Sequence, residues 1–134
     1  EVSSVLIYDG VHTGSDAQPL LSLGNLEQQE PRVATAIRLM EQHLEDTLPL
    51  QMIAEQLDIS LRMLGYLFEQ NLHISPGKFY LRLRLQAARR LVLDTRLPIQ
   101  EIAVRTGFNS LSAFSRQFKG YYKVHASGLR KKQN

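Results

Sequence analysis

An internal repeat at a spacing of 49 to 50 residues constrains the fold of this 134-residue chain more than any other feature. Residues 50–54 (LQMIA) match residues 99–103 (IQEIA), so both segments contain the pattern Q-x-I-A. After one inserted residue in the second copy, Ser60 matches Ser110. Leu64 and Phe68 then match Phe114 and Phe118. A repeat of about 50 residues indicates that one supersecondary unit occurs twice.

Each copy has the pattern of a helix-turn-helix, which is a short helix followed by a tight turn and a second helix. Ala54 and Ala103 are small residues at the positions where the two helices of each copy would cross closely. Gly107 readily adopts a left-handed backbone, and Asp58 stands at the equivalent place, where Asp tolerates that conformation better than most residues. Any helical bundle can contain one such hairpin, but two copies with turn residues in register favour a pair of helix-turn-helix units.

The remaining pattern predicts an all-α fold of about seven helices, with two helix-turn-helix subdomains joined by a long linker helix. Val33, Ile37, Met40 and Leu44 are spaced for one helix face, which predicts a helix from Pro31 to about residues 46–47. The expected segments are a linker or remnant of an upstream domain at 1–30, where helical periodicity is weak, and a helical domain at 31–134. Within that domain we expect the first helix-turn-helix at about 50–72, the linker helix at 76–95, the second helix-turn-helix at 98–122 and a last short helix at 127–132.

Several classes of function lack the residues that they need. The chain has no Cys, which excludes disulfides, iron–sulfur clusters and thiol catalysis. Its four His residues are scattered, and the sequence contains no zinc-binding His pattern, no phosphate-binding glycine loop and no nucleophile elbow. No apolar run approaches the ~18 residues of a membrane span, and no export leader is evident. We therefore expect a protein that is not an enzyme and needs no metal, cofactor or membrane.

Charge is distributed unevenly along the chain. Residues 1–60 have a net charge of −8, whereas residues 61–134 have a net charge of +11. Such asymmetry suggests that the second half meets a polyanion. A solvated basic face without a partner is the alternative interpretation.

The second helix of each copy presents side chains suited to nucleic acid on the side opposite its apolar residues. Arg pairs bidentately with guanine, Ser can donate or accept a hydrogen bond, and an apolar side chain can meet the thymine methyl group, while Lys and Tyr reach phosphates. The candidate DNA-binding residues are Arg62, Met63, Gly65, Tyr66, Leu111, Ser112, Ser115, Arg116 and Lys119. Taken singly, each is equally compatible with an ordinary exposed surface position.

Other basic residues have two interpretations. Arg84 and Arg89 lie close to the apolar stripe of the linker helix, which favours structural pairing for at least one of them. Near the end of the chain, Arg130, Lys131 and Lys132 are either a phosphate anchor or a frayed basic helix end.

Five sequence motifs resemble those of one family of bacterial proteins. They are I-A-x-x-L (53–57), S-x-x-x-L-x-x-L-F (60–68), S-P-x-x-F (75–79), R-L-x-x-A-x-x-L (84–91) and I-x-E-I-A-x-x-x-G-F-x-S-x-S-x-F-S-R-x-F-K (99–119). This set resembles the DNA-binding domain of AraC/XylS-type transcription regulators, over about three quarters of the chain. Residues 1–30 are similar to the connector in the subgroup that has a PfpI/amidotransferase-like sensor domain upstream.

The resemblance implies a sequence-specific binder of double-stranded DNA, with recognition helices at 60–72 and 110–122 in successive major grooves about one turn (~34 Å) apart. It places the base-reading positions on Arg62, Gly65 and Tyr66 in the first helix, and on Leu111, Ser112, Ser115 and Arg116 in the second. It also implies a cytoplasmic regulator with an upstream sensor or dimerisation domain, and RNA polymerase is a further candidate partner.

The sequence departs from the family pattern at Gly65 and Tyr66, where relatives usually carry a longer polar residue and an Arg. We therefore expect the second unit to dominate base specificity. In the segment that follows the second helix-turn-helix, the family pattern is G-x-S-P-x-x-Y/F, and this sequence has Lys123, His125, Ala126 and Leu129 at its four defined positions. This departure predicts a locally looser end.

Two alternative functions remain open. A non-specific nucleic-acid binder that works through charge alone would show a steep salt dependence and no sequence preference. A helical protein-interaction module, for example one that docks on RNA polymerase, would depend on an exposed apolar groove rather than on the basic face.

Overall fold

The structure, a computed structural model, describes residues 23–133, and within that range it contains eight helices and no strand. The helices are α1 (Leu23–Gln29), α2 (Pro31–Gln42), α3 (Leu50–Gln56), α4 (Leu61–Leu72), α5 (Pro76–Asp94), α6 (Ile99–Arg105), α7 (Leu111–Tyr122) and α8 (Ala126–Gln133). The all-α prediction is confirmed. None of these helices combines the length and the apolar character that a membrane-spanning helix needs.

The described chain forms two compact units. The first unit comprises residues 23–42 and Leu48–Tyr80, and the second comprises His43–Thr47 together with residues 81–133. Each unit contains one helix-turn-helix, α3–α4 in the first and α6–α7 in the second. Helix α5 belongs to the first unit as far as Tyr80 and to the second from Leu81 onward.

The core of the first unit is built from the apolar faces of its helices. On α2, the predicted residues Val33, Ile37 and Met40 are all fully buried. Phe68 of α4 is also fully buried and contacts Phe79 of α5 edge to face, with ring centroids 5.7 Å apart. Aromatic contacts of this geometry add to the stabilisation that burial of the rings already provides.

Helix α1 lies in a segment where weak helical periodicity argued against a helix. Its Leu26 is only 2% exposed, and Glu27 forms an ion pair with Arg38 of α2. A helix of seven residues is marginal by itself, so α1 depends on this packing against α2. The linker interpretation stays a prediction for residues 1–22, which lie outside the described residues.

Helix α2 ends earlier than the expected residues 46–47. It stops at Gln42, and His43–Thr47 belongs to the second unit. The apolar residue that suggested a longer helix, Leu44, is only half-buried, and its backbone lies against the turn around Gly107. Tertiary contacts thus end the helix before its apolar pattern does.

The second unit has a separate core. It contains Phe114 and Phe118 of α7, Ile102 of α6, and Leu85 and Val92 of α5, all of them buried. The Phe108 and Phe114 ring centroids are 5.3 Å apart, and those of Phe114 and Phe118 are 5.4 Å apart. This aromatic row fixes the inward side of α7 and so determines which of its side chains face outward.

Candidate nucleic-acid interface

The second helices of the two units begin and end in the same way. Ser60 Oγ accepts a hydrogen bond from the Met63 N–H, and Ser110 Oγ accepts one from the Ala113 N–H, each at 3.0 Å. Such caps satisfy N–H groups that a helix start leaves unpaired. Both helices are twelve residues long, and each ends at a left-handed residue, His73 with φ 59° or Lys123 with φ 64°. Both serines are therefore the N-caps of their helices.

The turns of the two units also share their geometry. Asp58 has φ 63° and Gly107 has φ 86°, so both adopt the predicted left-handed conformation. The residue after each turn donates back to the preceding helix: Ile59 N–H to the Ala54 carbonyl at 3.1 Å, and Phe108 N–H to the Ala103 carbonyl at 3.0 Å. The equivalent hydrogen bonds close the C-terminal ends of α3 and α6 at corresponding residues.

Helix α7 presents an outward row that is basic and polar. With Phe114 and Phe118 fully buried, Ser112, Arg116 and Lys119 lie on the opposite side and are exposed. None of the ion pairs within residues 23–133 involves Arg116 or Lys119. Their charges are therefore available to an anionic partner.

Two further predicted residues flank this row on α7. Leu111, in the first turn, is 44% exposed, and Ser115 is half-buried. Together with the three outward residues, they place all five candidates of the second helix on one exposed region of the second unit.

The equivalent region of α4 has a different character. Leu64 and Phe68 are buried, and Arg62 and Tyr66 lie on the outward side together with Glu69. Met63 is exposed beside them, and a Cβ added at Gly65 would meet no atom within 4 Å. The four candidates of the first helix therefore also share one exposed region, but this region has less positive charge than that of α7.

Sequence reasoning missed one exposed apolar residue of the first unit. Leu61 is 43% exposed at the start of α4 and corresponds to Leu111 of α7. The repeat register was the signal that could have identified it. Met52 of α3 and Val104 of α6 are exposed apolar residues as well.

Arg84 of α5 supports the second turn from inside. Its Nε and Nη2 donate to the Thr106 and Gly107 carbonyls, each at 2.8 Å, and its guanidinium lies 4.2 Å from the Phe108 ring centroid. The structural role predicted for at least one of Arg84 and Arg89 is confirmed, with carbonyl oxygens and an aromatic ring as the partners.

Arg89 is exposed, but its guanidinium also contacts the end of α7. Its guanidinium lies 5.6 Å from the Tyr122 ring centroid. Burial raises the pKa of the Tyr122 phenol above its ordinary value, with a further contribution from Tyr121, so this phenol stays protonated at physiological pH.

Arg130 faces the protein, which is evidence against its proposed use as a phosphate anchor. It donates to the carbonyls of Val92 at 3.1 Å and Leu97 at 2.6 Å, and also to those of Leu91 and Thr95. These acceptors lie at and just beyond the end of α5, where helix carbonyls lack partners within the helix. Arg130 therefore caps a helix, while Lys131 and Lys132 are exposed.

The segment after the second helix-turn-helix, which departs from the family pattern, still forms a regular helix, α8. Ala126 is buried at the start of α8, the Leu129 N–H donates to the His125 carbonyl at 2.9 Å, and Leu129 packs on the core of the second unit. The expected looser end is therefore not observed in the described part of α8.

Comparison with known proteins gives one family. A family model described as a helix-turn-helix domain matches residues 53–132. The HTH-type transcriptional regulator GbdR of Pseudomonas aeruginosa is 33% identical over 123 residues, which are 92% of this chain and 34% of that protein. The HTH-type transcriptional regulator ArgR of the same organism is 31% identical over 123 residues, 92% of this chain and 37% of that protein. The chain thus spans about a third of the length of these relatives.

A solved structure agrees with both the fold and the sequence. A transcriptional regulator from Chromobacterium violaceum, described by its AraC-type DNA-binding domain, is 33% identical to this chain with a TM-score of 0.75. The match covers 79% of this chain and 95% of that structure.

Proposed function

The chain belongs to the AraC-type helix-turn-helix family of transcriptional regulators, and we propose that it binds double-stranded DNA in a sequence-specific manner with α4 and α7 as its recognition helices. The observation that carries this proposal is that α4 and α7 are held by the same repeated set of caps, turns and buried residues, which we call the frame. Caps, turns and inward residues correspond in both units, whereas the outward rows are exposed and differ in their side chains. Such a frame can present two different sets of groups to two segments of one duplex.

In the second unit, we assign base contacts to Ser112, Ser115 and Arg116, and a phosphate contact to Lys119. Arg can pair bidentately with guanine O6 and N7, and Ser can bond to several base edges. Leu111 is suited to a thymine methyl group. In the first unit, the candidate contacts are Arg62, Met63, Gly65 and Tyr66, with Gly65 leaving space for a base edge to approach.

Charge favours the second unit as the main source of affinity. That unit contains twelve Lys and Arg against four Asp and Glu, whereas the described part of the first unit contains four against six. Each phosphate that a cation neutralises releases counterions, so affinity from this source falls steeply as salt concentration rises. The same charge supports a second candidate function, binding of nucleic acid without sequence preference.

Selection of bound sequences from a random duplex pool distinguishes these functions. We expect the 134-residue chain at about 150 mM salt to enrich two blocks about one helical turn apart, because charge alone binds weakly and indiscriminately at that ionic strength. One enriched block would mean that a single unit reads bases. A pool that stays random while binding persists would establish charge-driven binding and overturn the proposal.

For the whole regulator, we propose an upstream sensor or dimerisation domain, a cytoplasmic location, a contact with RNA polymerase and no catalytic activity. Regulatory proteins of this kind act on DNA within the bacterial cytoplasm, where transcription takes place. Attachment of the chain's own upstream sequence, followed by measurement of DNA affinity with and without candidate small molecules, tests the sensor assignment.

A further inference from the structure

The outward side of α4 is more apolar and less charged than that of α7. Tyr66 is 57% exposed and Met63 is 39% exposed, whereas the corresponding residues of α7 are Arg116 and Ala113. Glu69 stands where α7 has Lys119. The outward row of α4 therefore has one positive and one negative charge, and an exposed aromatic ring and thioether accompany them.

The first unit also has few cations to offer to phosphates. Of its four Lys and Arg, Arg32 is paired with Glu30 and Arg38 is paired with Glu27. Arg62 and Lys78 form none of the ion pairs within residues 23–133. Counterion release by this unit is consequently small, and its affinity for DNA must come from contacts that do not depend on charge.

We propose that the first unit recognises thymine methyl groups in the major groove through Met63 and Tyr66, so that it contributes specificity that is nearly independent of salt. This inference rests on the proposed DNA-binding function. Met63 and Tyr66 are three residues apart, which puts both side chains on the same side of α4. Tyr66 stands in register with Arg116, which we assign to the DNA surface, and Met63 lies about one helical turn before Tyr66. The same docking mode therefore brings this pair toward base edges.

The thymine methyl group is the apolar partner that the major groove offers among the four bases. Removing it from water against Met63 and Tyr66 is favourable in proportion to the apolar area covered. Guanine, adenine and cytosine have no methyl group at the same edge, so exchanging thymine for any of them removes this contact. The occupant that we assign to the apolar side of α4 is therefore a thymine-containing DNA block.

Replacement of thymine by uracil tests the proposal, since uracil lacks only the methyl group. The chain first selects its two blocks, and the block whose base preference changes in the Arg116→Ala variant is assigned to the second unit. Uracil is then placed at every thymine of the other block. We expect affinity to fall about fourfold for each contacted methyl group.

Variants connect this loss to the named side chains. We call the loss of affinity that follows replacement of thymine by uracil the uracil penalty. In the Met63→Ala/Tyr66→Ala double variant, affinity for the thymine duplex should fall and the uracil penalty should disappear. The salt dependence of binding should stay unchanged. In Arg116→Ala, the matched change at the position equivalent to Tyr66, the uracil penalty in the first block should persist. All three replaced side chains are exposed, so thermal melting should confirm that each variant folds.

Three results would overturn the proposal while leaving sequence-specific DNA binding intact. They are a first block without thymine, a uracil duplex bound as tightly as the thymine duplex, and a double variant that keeps the full uracil penalty. If the double variant also binds DNA with unchanged affinity, the apolar side of α4 lies away from DNA. Absence of any selected block would instead overturn the proposed function itself.

Discussion

Asp58 and Gly107 occupy equivalent left-handed positions in the two turns, with φ of 63° and 86°, but only the second position requires glycine for reasons of space as well. A Cβ at residue 107 would overlap the Leu44 carbonyl oxygen and would lie 2.8 Å from Thr47 Cγ2. The segment His43–Thr47 thus closes over the second turn. At Asp58 the side chain is exposed, so a Cβ is accommodated there.

The first prediction concerns Gly107→Ala, which should destabilise the protein by at least about 2 kcal/mol. The left-handed backbone costs about 1–2 kcal/mol for a residue with a Cβ, and the overlap with Leu44 adds to that. Gly120→Ala is the matched control because an added Cβ meets no atom within 4 Å. It should stabilise α7 by up to about 1 kcal/mol. Urea unfolding of both variants measures the contrast, and equal effects would contradict it.

The second prediction concerns the crossing of α6 and α7. Ala103 is 2% exposed, so Ala103→Leu should destabilise the protein by ~1–3 kcal/mol through overpacking. Val104→Leu places the same side chain one residue later, at a position that is 51% exposed, and should change stability by less than about 0.5 kcal/mol. A melting temperature unaffected by Ala103→Leu would show that the helices do not cross closely there.

The third prediction separates a structural arginine from phosphate-binding lysines. Arg130→Ala should destabilise the protein by about 2 kcal/mol because charged hydrogen bonds to carbonyls at the end of α5 are lost. Lys132→Ala, at an exposed position, should leave stability within about 0.5 kcal/mol. DNA affinity of the folded Arg130→Ala variant should keep the wild-type salt slope. A slope lower by about one would return Arg130 to the phosphate-anchor role.

The fourth prediction distinguishes base contact from phosphate contact on α7. Arg116→Ala should cost ~1–3 kcal/mol of binding free energy and relax the preference at one base pair. Lys119→Ala should weaken binding to all sequences alike and lower the salt slope by about one. Competition binding with single-base variants of the selected site measures both. An equal loss on every sequence for Arg116→Ala would reassign that residue to phosphate.

Local chemistry made most of the fold predictable from sequence. Ser60 and Ser110 are good helix caps, Gly107 favours a left-handed turn, and each determines the structure of its immediate neighbours. The outward sides of α4 and α7 were predictable because the buried residues recur at helical spacing. These features depend on a few consecutive residues, and the repeat provided two independent examples of each.

Contacts between distant residues account for what the sequence did not reveal. Arg130 binds carbonyls of residues 33 to 39 positions earlier in the chain, and no local pattern identifies such partners. Helix α1 depends on packing against α2, which its weak periodicity does not reveal. The early end of α2 has a similar cause, because Leu44 belongs to the second unit and its carbonyl lies against Gly107, 63 residues later.

The interleaving of the two units has a consequence for biosynthesis. His43–Thr47 leaves the ribosome before either helix-turn-helix, yet the glycine turn that it covers is translated after the whole first helix-turn-helix. All residues of the first unit are available once residue 80 has been made, whereas the second unit combines this early segment with residues synthesised afterwards. Expression of residues 81–134 alone would therefore yield a fragment that lacks the segment covering Gly107. A fragment that represents the second unit has to include His43–Thr47 as well.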